Sequence, residues 1–136
     1  MIIQTGMRTD IPAFYSKGLI NRIKEGFVLV RNPYNPTQVT RYSLSPDVVD
    51  LIAFYTKNPA PMLPYMEMLK PYGQYWFVTI TPYGKDIEPN VPEKEKVIND
   101  FKRLSDIVGV DSVGWHLNLV QKETNRLFTV WIVLAA

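Results

Sequence analysis

Strand-like and helix-like segments alternate along this chain, and that order constrains the fold more than any other feature. The apolar "MIIQT" runs into a polar cluster, "MRTD". Asp10 is placed to cap a helix, Pro12 to sit in its first turn, and "AFYSKGLINRIKEG" to form its body. "LIAFYTK" is a continuous apolar run, as a strand covered on both faces requires. In "NPAPMLPYMEMLKPYG", Met62, Tyr65, Met66 and Leu69 follow helical spacing, which predicts a helix with Asn58 as cap and Pro64 in its first turn or two. "QYWFVTITPYG" is aromatic and β-branched and stops at Pro82 and Gly84, the pattern of a strand.

"EPNVPEKEKVINDFKRLSDIVG" is the clearest helix. Its start lies near Asn90 and Pro92, Val97, Phe101, Leu104 and Val108 form one stripe widened by Ile98 and Ile107, and Gly109 ends it. "DSVGWHLNLV" reads as a further strand, and "LFTVWIVLAA" as a final strand or a tail that buries itself. One segment breaks the alternation: "GFVLVRNPYNPTQVTRYSL" holds two β-rich runs around an Asn-Pro-Tyr-Asn-Pro turn and predicts a hairpin excursion. A short helical turn follows at "LSPDVVD". Strands separated by helices imply an α/β fold with a parallel sheet of about four central strands and right-handed crossovers. These residues leave two arrangements open, a three-layer sandwich and an arc of a β/α barrel.

At 136 residues the chain is expected to form a single α/β domain, 1–136. A net charge of +2 does not support nucleic acid as a partner. No apolar run reaches the roughly 20 residues of a membrane helix, and no signal-peptide pattern opens the chain, so a cytoplasmic protein is expected. There is no cysteine and a single histidine, His116. Thiolate nucleophiles, thiolate zinc sites and iron–sulfur ligation are thereby excluded for these residues, and no metal site is expected. No Walker loop, GxGxxG fingerprint, nucleophile elbow or HExxH is present, and the glycines are isolated.

In a parallel sheet the ligand-facing rim collects the residues that follow each strand. The ligand-binding candidates are Arg8 and Asp10, Lys57 and Asn58, and Lys85, with Arg31 and Asn32 at the hairpin turn. Thr81, Tyr83, Asp86, Glu88, His116 and Asn118 fall on or near the same rim. The surplus of lysine and arginine suits a small anionic or phosphorylated ligand, aided by helix N-termini. Each candidate also has a structural explanation. Asp10 is a good cap with which Arg8 can pair, "TKNP" is a strand end before a helix, and Lys85, Asp86 and Glu88 read as solvated charge. His116 reads as a hydrogen-bonded core or edge residue.

The motifs "RTDIPAFY", "RNPYNPTQV", "SLSP", "FYTKNPAPMLPY" and "TPYGKDIEPNVP" lie in register over residues 1 to about 115. In them the chain closely resembles a bacterial family catalogued as a domain of unknown function. Members of that family are similar to radical-SAM-type partial β/α barrels, distantly like the spore photoproduct lyase group. They run to about twice this length and carry a cysteine-rich segment resembling an iron–sulfur site. The resemblance implies a partial, half TIM-like barrel and places Arg8, Asp10, Lys57 and Asn58 on a rim facing a ligand. Where the family tends to read Trp-Arg-Tyr-Asp-Pro, this chain reads "WHLNLV" from Trp115, and residues 116–136 form a divergent apolar tail.

The implied reading is therefore the N-terminal half of a radical-SAM-like barrel, shortened or truncated, without the cluster cysteines and inactive alone. No cofactor is expected in this chain, whereas full-length relatives would carry the cluster. The alternative is a small anion- or phosphate-binding module that uses the basic rim. A half-barrel leaves an open edge, and the charge-free "LFTVWIVLAA" is expected either to fold back over it or to pair with a second chain as a homodimer, the preferred arrangement.

Overall fold

A computed structural model describes residues 1–6, 8–121 and 126–132. The predicted alternation holds. β1 (Ile2–Gln4) leads through α1 (Ile11–Phe14) and α2 (Ser16–Glu25) to the hairpin strands β2 (Phe27–Arg31) and β3 (Val39–Ser43). β4 (Leu51–Thr56), α3 (Met66–Leu69), β5 (Gly73–Thr79), α4 (Lys94–Val108), β6 (Val113–Gln121) and β7 (Arg126–Ile132) follow. The main sheet has the order β1-β4-β5-β6-β7, while β2 and β3 form a separate two-stranded sheet. β1, β4, β5 and β6 are parallel neighbours, with Ile3 beside Ile52, Phe54 beside Trp76 and Val78 beside Trp115. β7 runs antiparallel to β6. The backbone of 126–132 thus folds back along the sheet, one of the two routes open to the apolar tail; residues 133–136 lie outside the described ones.

The four parallel strands follow one another in chain order, and α2, α3 and α4 pack on one face. Ile52 and Phe54 of β4 and Trp76 and Val78 of β5 share that face, because alternate residues of a strand point the same way. They form a single buried cluster with Ile20 of α2, Met66 and Leu69 of α3, and Val97 and Leu104 of α4. The rings of Phe54 and Trp76 stack 4.0 Å apart at its centre, and both residues are inaccessible to solvent. Tyr55, Tyr75 and Phe77 point to the opposite face and are only half buried, with Tyr55 stacked on Phe77 at 4.5 Å. A doubly wound sandwich would cover both faces with helices; helices on one face of a sequentially ordered parallel sheet are the arrangement of a barrel arc. "LIAFYTK" is accordingly buried on its helix side and half open at Tyr55, rather than covered on both faces.

Proline and glycine set several boundaries differently from the sequence reading. The expected first helix bends at Tyr15, which has φ −128° and ψ 22°, so it is two helices rather than one; Gly26, at φ 75°, ends the second. The helix expected from Asn58 does not start there, since Asn58 N–H donates to Thr56 Oγ1 at 2.9 Å. Pro59, Pro61 and Pro64 lack the N–H groups that helical bonding needs, so only a 3₁₀ turn over Leu63–Tyr65 and the single turn of α3 form. α4 starts at Lys94 with Glu93 as N-cap, past Asn90 and Pro92. Its stripe narrows: Ile107 is 48 % exposed, while Asp100, outside the stripe, is buried beside Arg103. Asn32 and Asn35 accept backbone N–H bonds from Tyr34 and Thr37, which closes the predicted hairpin turn.

Candidate functional site

The rim begins at Asp10, whose two carboxylate oxygens have separate duties. Oδ1 accepts Ala13 N–H at 2.9 Å and caps α1, while Oδ2 accepts Lys57 N–H at 2.8 Å. One side chain therefore starts a helix and ties the β1–α1 junction to the end of β4. Arg8 does not pair with it; Arg8 is exposed and makes no ion pair among the described residues. The expected Arg8–Asp10 pair is absent because both carboxylate oxygens are directed at backbone N–H groups.

Beyond β4 and β5 the loops enclose a cavity of about 420 Å³. Three lysines, Lys57, Lys85 and Lys94, and three glutamates, Glu88, Glu93 and Glu95, line it together with Thr79, Thr81 and Tyr83, and the first turn of α4 is one wall. Lys57 Nζ pairs with Glu88 Oε1, and Glu88 Oε2 accepts the Thr81 hydroxyl at 2.6 Å. The Glu88 side chain is 14 % exposed, so it is not the solvated charge expected of a turn-rich loop. Burial pushes its pKa up, but the Lys57 and Thr81 hydrogen bonds and the charges of Lys57 and Lys94 outweigh this and hold it below the ordinary carboxylate value. Glu88 is thus an ionised, fixed anchor for Lys57.

Lys85 bonds to Val91 O and lies 3.5 Å from Glu93 Oε1. Lys94 also lines the cavity and makes no ion pair among the described residues. At the start of α4, Glu93 makes no side-chain capping bond, so the first N–H groups of this 15-residue helix, whose opening residues line the cavity, have no cap from it. The site can therefore offer the Lys94 ammonium and helix N–H donors to an anion, beside the Lys57–Glu88–Thr81 chain.

Of the sequence candidates, Lys57 and Lys85 meet at this cavity, whereas Arg8, Asp10, Asn58, Arg31 and Asn32 do not line it. Asn32 is bound to Gln38 Oε1 at 2.8 Å within the hairpin. His116 is half buried with Nδ1 3.5 Å from Thr79 Oγ1, and burial lowers its pKa. Lys94 and Glu93 escaped the sequence reading because the helix start was placed at Asn90–Pro92; the acidic–basic run "EKEK" after Pro92 was the available signal.

The fold and this rim define a parallel β/α arc with a polar cavity at the carboxyl ends of its strands. A family model described as a domain of unknown function, DUF1848, matches residues 2–127, and the chain belongs to that family. No curated protein and no solved structure matches it. Among the described residues, no helix is long and apolar enough to cross a membrane.

Proposed function

We propose that this domain is the ligand-binding half of a β/α barrel and that its rim cavity takes a small organic molecule bearing a phosphate or carboxylate. The observation that carries this reading is the convergence of Lys57, Lys85 and Lys94 with the start of α4 on one 420 Å³ cavity. Such a volume is in the range of small-molecule sites. Lys57 and Lys85 already have acidic partners, so Lys94 and the helix N–H groups are the first contacts for an incoming anion. Thermal-shift screening against nucleotides and phosphorylated metabolites tests the reading. A hit is expected to raise Tm in the parent and to lose most of that rise in Lys94→Ala and Lys57→Ala. Hits that both variants bind unchanged would place the ligand elsewhere.

A second reading is favoured by the parallel arc itself: a radical-SAM-like barrel domain dependent on a partner. The donor set does not fit a cluster, because these residues include no cysteine and, among the described residues, no group of three or more His, Asp or Glu side chains is placed to hold a metal ion. The thiolates would have to come from outside these residues. Reconstitution of the purified protein with iron and sulfide should give no cluster absorbance, and stable incorporation would refute the donor argument. Because β7 is already paired with β6 in its own sheet, a homodimer through the C-terminal apolar segment would form across the outer edge of β7. Light scattering should show two copies for the full chain and one after truncation at Arg126; a monomer at high concentration would refute it.

A further inference from the structure

A second cavity, of about 460 Å³, lies on the other side of β1, between that edge strand, α2 and the hairpin. Its walls are apolar: Ile3 from β1, Leu19 and Ile23 from α2, and Val28 and Val30 from β2. The hairpin register explains the wall it contributes. Val28 faces Tyr42 and Val30 faces Thr40, so these four share the face turned toward α2, while Leu29, Arg31, Val39 and Arg41 point the other way. Two of the hydroxyls at the cavity are committed, Thr5 Oγ1 to Ala53 O at 3.1 Å and Tyr72 Oη to Leu44 O at 2.7 Å, while Tyr15 and Tyr42 add further hydroxyls to the lining. Most of the lining is apolar, with Gln4, Tyr15 and Tyr42 as its remaining neutral polar side chains.

The mouth differs. Arg22 is the one charged side chain among the described lining residues; it is exposed and makes no hydrogen bond or ion pair among the described residues. An apolar chamber with a single unpaired guanidinium at its entrance is complementary to a molecule with one anionic head and an apolar body. Residues 1–45 as a whole are basic, with Arg8, Lys17, Arg22, Lys24, Arg31 and Arg41 against Asp10 and Glu25, and of these only Arg22 lines the cavity. We infer that this cavity binds a monomeric amphiphile of the alkyl carboxylate class, its chain between α2 and the hairpin and its head on Arg22. The inference is independent of the rim site, which shares no lining residue with it.

Isothermal titration of the full chain with hexanoate, octanoate and decanoate, each below its micellar concentration, tests the assignment. Binding is expected to be saturable and one to one, with Kd falling about fourfold per added methylene, the equivalent of ~0.8 kcal/mol. Arg22→Gln should weaken octanoate about fivefold or more and leave neutral octanol unchanged. Val28→Trp, which fills the chamber, should abolish both; if that variant does not fold, Leu19→Phe serves the same purpose. The inference is overturned by a Kd independent of chain length, or by equal octanoate affinity in Arg22→Gln. It is overturned too if the chain binds anionic vesicles but shows no saturable binding of the monomers, which would make the surface an interfacial contact instead.

Discussion

Glu88→Gln is the perturbation whose outcome the geometry determines most fully. The substitution keeps the shape of the side chain and an acceptor for Thr81, but removes the charge that Lys57 faces. Hydrogen bonds to charged groups contribute about 1.5–3 kcal/mol each. The Lys57 side chain is 40 % exposed, so water replaces much of its lost partner and its share is discounted. The Thr81 bond weakens from charged to neutral, a loss of about 1 kcal/mol. The expected total is about 2 kcal/mol at neutral pH, or a fall in Tm of roughly 6–8 °C for a domain of this size.

The pH dependence carries a definite sign. The folded pKa of Glu88 is depressed, so its contribution is fully present above the ordinary carboxylate value and disappears as pH falls through the folded one. Urea unfolding followed by circular dichroism, at neutral pH and in steps below about pH 4.5, should show a full gap between parent and variant that narrows in acid. A gap that stays constant in acid would show that the carboxylate charge does not hold Lys57. A gap under about 0.5 kcal/mol at neutral pH would refute the anchoring argument altogether.

Asp10→Ala removes both a helix cap and the clamp on Lys57 N–H; chemical unfolding should show a loss of about 2–3 kcal/mol, with Asp10→Asn recovering roughly half. Tyr72→Phe leaves the buried Leu44 carbonyl without its hydroxyl donor, so a loss of about 1–2 kcal/mol is expected in the same assay. Gly73→Ala would set a Cβ 2.4 Å from the Asp50 carbonyl oxygen, and since that oxygen belongs to the backbone, a cost of about 1–3 kcal/mol should appear as a lower Tm.

The alternation of apolar strand and amphipathic helix was legible because burial writes its period into the sequence: Phe54 and Trp76 sit where the strand pattern puts them. Sandwich and arc could not be told apart that way. The choice rests on which face the helices cover, and Tyr55 and Phe77 are as apolar as their buried neighbours. The sequence pattern puts helix starts at Asn58, a good local cap, and near Asn90 and Pro92, while the prolines after Asn58 and the turn up to Val91 move the actual starts downstream. At the site, Asp10 was legible as a cap, but its second bond to Lys57 spans 47 residues and no local pattern reports it. Glu88 failed for the same reason. A charge in a loop looks solvated until tertiary contacts bring Lys57 and Thr81 to its two oxygens.

The most direct test of the rim assignment is a ¹H–¹⁵N correlation spectrum of the full chain titrated with inorganic phosphate. Saturable shifts are expected on the amides of Lys94, Glu95 and Lys96 and on the Thr81–Lys85 loop, where the helix start and the lysines meet. Shifts confined to the hairpin or to the Arg8 region, or no saturable shift at all, would contradict it.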